Sequence, residues 1–141
     1  MHLIASHENQ YVFNLARGEE LFETLLLWCE ENNIAGATLT GLGAADHLEL
    51  AYYHLPTKTY ERQETDEDVE ILSLNGNLGT LDGKKVLHIH GVFGKRDLST
   101  FGGHIFSLRV SGACEIHLTA FPLPLHRSFD ETTGLNLLCQ L

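Results

Sequence analysis

Two strand-like runs, Val69 to Leu81 and Lys84 to Phe93, meet at Asp82-Gly83. This junction constrains the fold more than any other stretch of the chain. Asp-Gly between two runs of strand formers is the signature of a two-residue hairpin turn. Such a turn fixes register, because a slip of one residue would send every side chain to the wrong face. Leu81 then faces Lys84, Leu78 faces Leu87, Gly76 faces Ile89, Leu74 faces Gly91 and Leu72 faces Phe93. That side of the ribbon is apolar and belongs to a core, with Gly76 leaving room for Ile89. The other side sets Asn77 against His88 and Asn75 against His90.

Around the ribbon the pattern continues in strands. Tyr11 to Ala16 reads as a strand, broken by Arg17-Gly18. Glu19 to Asn32 reads as a helix, since Leu21, Phe22, Leu25, Leu26, Trp28 and Cys29 recur at helical spacing. Glu19, Glu20 and Glu23 suit its positive N-terminal end. Trp28, on the apolar stripe, is assigned to the core. Ile34 to Ala45 is β-like and glycine-rich, and Gly41-Leu42-Gly43 marks a bulge or a close backbone approach. His47 to His54 and Thr59 to Glu64 read as two further strands, the second on an exposed edge. After a polar loop from Gly94 to Phe101 come Gly102-Gly103, a strand from Ile105 to Val110, and another from Cys114 to Phe121. Met1 to Gln10 carries no strand or helix pattern, and His126 to Leu141 shows only Leu135, Leu137 and Leu138 as docking residues. One early helix and many later strands predict an α+β domain, mostly antiparallel sheet.

Charge narrows the function classes. The chain carries 19 acidic against 9 basic residues, a net charge of −10, with much of the acid in Glu61 to Glu70. A domain that grips phosphates displays a basic stripe, and none is present, so the balance argues against direct, tight binding of nucleic acid. No run approaches the roughly 18 apolar residues of a membrane span, and Met1 to Gln10 has no apolar core of signal-peptide length. The expectation is a cytoplasmic protein without membrane association. Cys29, Cys114 and Cys139 show no Cys-x-x-Cys spacing and read as buried, reduced thiols.

Nine histidines are an enrichment. His88 and His90, two apart on a strand, project from one face, and two imidazoles on one face can chelate one ion. His104 is the natural third ligand, because a short loop and two glycines fold it back beside the hairpin. Zinc, or another divalent transition metal, takes such a set and keeps a further position open. Simple alternation, however, puts His104 on the side of Phe106 and Leu108, so the Gly102-Gly103 corner has to re-aim it. Asn75 and Asn77 face the pair and would orient the rings by hydrogen bonds. Glu70 is the nearest carboxylate in sequence, although parity places it with Leu72 and Leu74. His47, His54, His117 and His126 lack a partner at ligand spacing and read as structural or surface residues. No nucleophile motif and no phosphate loop is present.

Taken in order, Arg17-Gly18-Glu19-Glu20, Gly41-Leu42-Gly43, Tyr52-Tyr53, Val69-Glu70-Ile71-Leu72-Ser73-Leu74-Asn75-Gly76, Leu87-His88-Ile89-His90 and Gly102-Gly103-His104 resemble the plants-and-prokaryotes-conserved domain. The resemblance runs from about Ser6 to Phe121, leaving residues 122–141 as a tail within a single-domain chain. It implies an antiparallel sheet, assembly as a homotrimer, and a metal site, usually zinc, from the residues matching His88, His90 and His104. In land plants the domain is joined to hooks that grip the DNA minor groove, and stand-alone bacterial members are commonly described as DNA-binding on that basis. This sequence has no Arg-Gly-Arg-Pro hook, and arginines are what such contacts need.

Three functions stand as expectations. The first is a trimeric, metal-binding regulatory or assembly module, associated with DNA or with DNA-bound proteins. The second is a zinc-dependent enzyme of hydrolase or lyase type, acting on a small molecule at the open metal position. The third is a purely structural rivet.

Overall fold

In the computed structural model, residues 1–140 are described. They form nine strands and one helix: β1 His2–His7, β2 Gln10–Ala16, α1 Leu21–Glu31, β3 Ala37–His54, β4 Thr59–Thr65, β5 Val69–Leu81, β6 Lys84–Gly94, β7 Thr100–Ala120, β8 Arg127–Asp130 and β9 Leu135–Leu138. Seven strands make one sheet in the order β1-β2-β7-β6-β5-β3-β4. An additional pairing of β7 with β3 closes β7, β6, β5 and β3 into a ring. Every strand pairing in the sheet is antiparallel. The fold is thus mostly antiparallel sheet with a single short helix.

The hairpin has the register that Asp82-Gly83 predicts, from Leu81↔Lys84 through Asn77↔His88, Gly76↔Ile89 and Asn75↔His90 to Leu74↔Gly91. Beyond it a β-bulge intervenes. Ile71, not Leu72, pairs with Phe93, and the register shifts between Ile71 and Ser73. An extra residue in one strand reverses the parity of the residues beyond it, so Val69 and Ile71 are buried whereas Leu72 and Glu70 are exposed. Glu70 lies opposite Gly94.

Two pairs of expected strands are single long ones. The stretches around 34–45 and 47–54 form β3, and those at 105–110 and 114–121 form β7. Both persist because bulges absorb the irregularity: their mutual register shifts at Gly43/Ala45, Ala45/His47 and Glu49/Leu50. The glycine-rich stretch is therefore a bulged crossing, as its composition suggests. The first residues, without any expected element, pair as β1 along β2. Thr59 to Thr65 forms an edge strand, as expected.

The core is built from Phe13, Leu15, Leu48, Leu74, Leu78, Ile89, Phe93, Ile105, Leu108 and Ile116, all buried. Helix α1 adds Leu21, Leu25 and Cys29. Trp28 is partly buried and packs edge-on against Tyr11 and Phe13, with centroids 4.8 and 4.6 Å away. Cys29 and Cys114 are buried as expected, and burial pushes their thiols up to about 11 and about 12. Cys139 departs from the expectation, being exposed near the end of the tail hairpin.

Glu20 ties the helix to the sheet. Its carboxylate accepts from the Glu23 amide at 2.7 Å, capping α1, and from the Leu108 amide at 3.1 Å on β7. Glu20→Ala removes both bonds and is expected to cost about 1–2 kcal/mol, read from the urea midpoint. An unchanged midpoint would show that the cap contributes nothing.

Candidate metal centre

His88 and His90 lie on β6, and His104 faces His90 across the β6–β7 pairing. The alternation problem at His104 is solved by a bulge at Phe106 rather than by the glycine corner alone. Ser107 pairs with Glu49 and Ile105 with Leu50, so Phe106 is the unpaired extra residue. Ile105 and Leu108 can then both face the core, while His104 and Phe106 share the opposite face with ring centroids 4.7 Å apart. The Gly102-Gly103 pair has a different task. A Cβ at Gly102 would lie 2.3 Å from the Gly91 carbonyl oxygen, and one at Gly103 2.9 Å from that of Ala51. Their bareness lets β7 lie close enough to bring His104 to its partners.

The three rings converge on one point. His88 Nε2 is 3.1 Å from His90 Nε2, and His104 Nδ1 is 3.3 Å from His90 Nε2. A single donated proton cannot satisfy three nitrogens crowded in this way. A tetrahedral ion can: zinc–nitrogen bonds of about 2.0–2.1 Å put two ligands about 3.3–3.4 Å apart. Among the described residues, these histidines form the group of metal-ligating side chains whose donor atoms lie within 4.8 Å of one another, and no fourth ligand joins them.

Two of the rings, His88 and His104, are pushed toward the neutral form, the form that binds metal. Burial, then the neighbouring His88 and His90, lower the His104 pKa to about 4. Burial, then Arg127, lower that of His88. The unfolded chain protonates such a ring below about pH 6.5, whereas folded His104 accepts the proton only near pH 4. Between these values the unfolded state binds more protons, so stability falls as pH falls through that window. We expect the metal-free protein to melt lower at pH 5 than at pH 7, with a smaller difference in His104→Asn. Equal differences in the two proteins would refute a role for this ring.

Asn75 and Asn77 lie across from His90 and His88 as the register requires, but their hydrogen bonds go to other side chains. The Asn75 amide donates to Ser73 Oγ at 2.7 Å. Asn77 Oδ1 accepts from Arg127 Nη2 at 2.5 Å, and the same Nη2 lies 3.4 Å from His88 Nδ1. Glu70 stands apart, near the far end of the β5–β6 ribbon. His47 and His126 have other partners, Asp66 at 2.8 Å and Thr80 at 3.3 Å.

Arg127 belongs to the tail, to which the sequence pattern assigns no role. The tail begins its docking where the Thr80 amide donates to the Leu125 carbonyl at 2.7 Å. It returns as the β8–β9 hairpin and is fastened at the far side by the Tyr53 hydroxyl, which donates to the Thr133 carbonyl at 2.7 Å. The hairpin thereby walls a cavity of about 900 Å³ that contains all three histidines, together with Tyr60, Phe106 and Arg127. Tyr60 packs on His104 and Phe106 with centroids 5.1 Å from each, and burial raises its pKa, keeping its hydroxyl protonated. A second cavity of about 430 Å³ carries Glu61, Glu64 and Lys95 and no histidine. A signal for the hairpin is nevertheless present in the chain. Asp130 to Gly134 is a turn composition between two short alternating runs.

The model of the Plants and Prokaryotes Conserved (PCC) domain matches residues 4–122. The chain belongs to the PCC family. Solved PCC-like structures overlay it along nearly its whole length. A metal-containing protein from Archaeoglobus fulgidus shares 32% identity with a TM-score of 0.88, covering 99% of each chain. A protein from Bacteroides thetaiotaomicron, provisionally named as DNA binding, shares 27% with a TM-score of 0.91, covering 96% of this chain and 94% of its own. A plant- and prokaryote-conserved protein from Pyrococcus horikoshii shares 26% with a TM-score of 0.86, covering 96% and 94%. No curated protein matches the chain. The family match ends at residue 122, so the Arg127 hairpin lies beyond the matched domain. No helix among the described residues is long and apolar enough to cross a membrane.

Proposed function

We propose that this PCC protein is a metal-binding, homotrimeric regulatory or assembly module that holds zinc, or another divalent transition metal, on His88, His90 and His104. The observation that carries the reading is the convergence of three ring nitrogens at 3.1 and 3.3 Å, the edge length of a tetrahedral site. When bound, the ion supplies Lewis acidity at a position that faces the cavity. The metal-containing relative supports the same reading.

An apolar row supports assembly. Leu42 lies between Gly41 and Gly43, which pair with Leu74 and Ile71, so it sits opposite the Leu72 bulge, and Val92 pairs with Ser73 next to that bulge. These three side chains on adjacent strands are 54%, 52% and 45% exposed. Apolar side chains left half exposed at neighbouring positions of adjacent strands suit an interface between copies. Val92 and His90 share a strand face, so the metal group borders the row. Association with DNA then runs through DNA-bound partners, in keeping with the net charge of −10 and the absence of a basic stripe.

Light scattering at micromolar concentration tests the assembly, with a trimer expected and Leu72→Glu shifting it toward monomer. A monomeric wild type would overturn the trimer. Mobility shift with duplex DNA tests the partner reading: tight, salt-sensitive binding by the protein alone would overturn it. The zinc-enzyme reading is favoured by one observation, the cavity beside an open metal position. However, no Asp or Glu lines that cavity among the described residues, so it offers no carboxylate general base.

A further inference from the structure

The electrostatics of the histidine cavity run opposite to those of the molecule. The chain carries ten more acidic than basic residues. Nevertheless, the described residues lining this cavity include no carboxylate, and they include Lys85, Arg127 and the three histidines. Lys85 is already paired with Glu30 at 2.5 Å. Arg62, nearby, is occupied too, bonded to Glu49 at 2.8 Å and stacked 3.7 Å over the Phe106 ring. Arg127 is different: its partners are neutral, Asn77 Oδ1 at 2.5 Å and the Asn136 carbonyl at 2.8 Å.

A guanidinium has five N–H donors. Two of those on Arg127 are used by Asn77 and Asn136, and its Nε is buried with no acceptor. The approach of Nη2 to His88 Nδ1 does not use a third. Coordination through His88 Nε2 leaves the proton on Nδ1, and two donors then face each other. A partly buried cation without a counter-charge is costly. Its position is nonetheless enforced. The side chain crosses β5 at Gly79, where a Cβ would stand 3.2 Å from Arg127 Nε, and the docked hairpin holds it beside the His88 ring. The fold thus keeps an unneutralised guanidinium next to a metal group, in a cavity of the volume that small-molecule sites have.

We propose that this cavity binds a small organic carboxylate, anchored by the Arg127 guanidinium and by the open position of the metal held on the three histidines. A carboxylate suits the Nη donors of Arg127 that Asn77 and Asn136 leave free, and the walls contributed by Tyr60, Phe106, Leu135 and Leu137 accommodate an apolar remainder. The inference rests on the metal reading above and makes the module a ligand sensor. The tail hairpin, outside the matched domain, is the part that sets its ligand.

The test uses the full chain loaded with cobalt(II), whose uptake is measured first by elemental analysis. Acetate, oxalate and benzoate are then titrated by calorimetry and by the visible cobalt spectrum, with benzamide as the uncharged control and inorganic phosphate as the competing anion. The expected result is that at least one carboxylate binds and perturbs the cobalt bands, while benzamide and phosphate do not. Arg127→Gln should weaken carboxylate binding at least tenfold with cobalt content and melting temperature retained, and Arg127→Lys should lie between. Failure to take up cobalt would overturn the metal reading itself. Cobalt uptake with no carboxylate bound, with phosphate preferred, or with binding indifferent to Arg127→Gln would overturn only the carboxylate site.

Discussion

Replacing His88 and His90 together by alanine is expected to abolish metal binding outright. Untagged wild-type protein should carry about one zinc per chain by elemental analysis, and the double variant essentially none. The size of the effect comes from the geometry. The two Nε2 atoms, 3.1 Å apart, supply one edge of the coordination polyhedron. Without them His104 is a single imidazole, and one imidazole does not hold zinc against water when a stable site needs three or four ligands. The loss should appear in stability too. A metal that binds only the folded state stabilises it by about 4 kcal/mol at a thousandfold excess over its dissociation constant. Added zinc should therefore raise the melting temperature of the wild type and leave the variant unmoved. Both variant positions are on the non-core face of β6, and His90 is exposed, so the metal-free variant should fold. Zinc retained by a folded double variant would place the ion elsewhere and remove the basis of the carboxylate proposal as well.

The parts of this architecture that can be read from the chain are those governed by local rules. Asp82-Gly83 sets the hairpin, and with it the facing of Asn77 with His88 and Asn75 with His90, because a two-residue turn admits one register. Legibility fails wherever an extra residue enters a strand. The bulge at Leu72 turns that leucine outward and puts Ile71 against Phe93. The bulge at Phe106 moves His104 off the core side where alternation places it. Neither position holds a glycine or proline to announce it. Both depend on how β3, β5 and β7 twist around the closed ring, which is a property of the assembled sheet. Arg127 is illegible for a related reason. It reaches His88 across 39 residues of sequence, by way of a hairpin whose docking depends on hydrogen bonds at Thr80 and Tyr53. A lone arginine in a weakly patterned tail carries no sign of such a contact.

Gly43→Ala is expected to be the most damaging single-methyl change in the sheet, lowering stability by about 3 kcal/mol or more. Two independent costs combine there. The backbone has φ +155, a conformation that side chains rarely adopt, and a Cβ would meet the Ala113 carbonyl oxygen at 2.2 Å and the Cys114 Cα at 2.7 Å. Both obstacles are backbone of β7, which cannot swing aside as the end of a side chain can. Gly43 also lies between register shifts on either side, in the stretch where β3 pairs with both β5 and β7. Gly83→Ala isolates the conformational cost. Gly83 has φ +77 but meets nothing within 4 Å, so alanine there should cost only about 1 kcal/mol. Urea unfolding of the two variants beside the wild type measures the difference. Equal losses would mean that β3 and β7 do not approach closely at this point. Zinc content of the folded fraction separates fold from site. The Phe106 bulge that aims His104 lies further along the pairing, between Glu49/Ser107 and Leu50/Ile105. A strained but folded Gly43→Ala chain should therefore still carry its metal while unfolding at lower urea, whereas parallel loss of metal and stability would show that the crossing at Gly43 also positions the histidines.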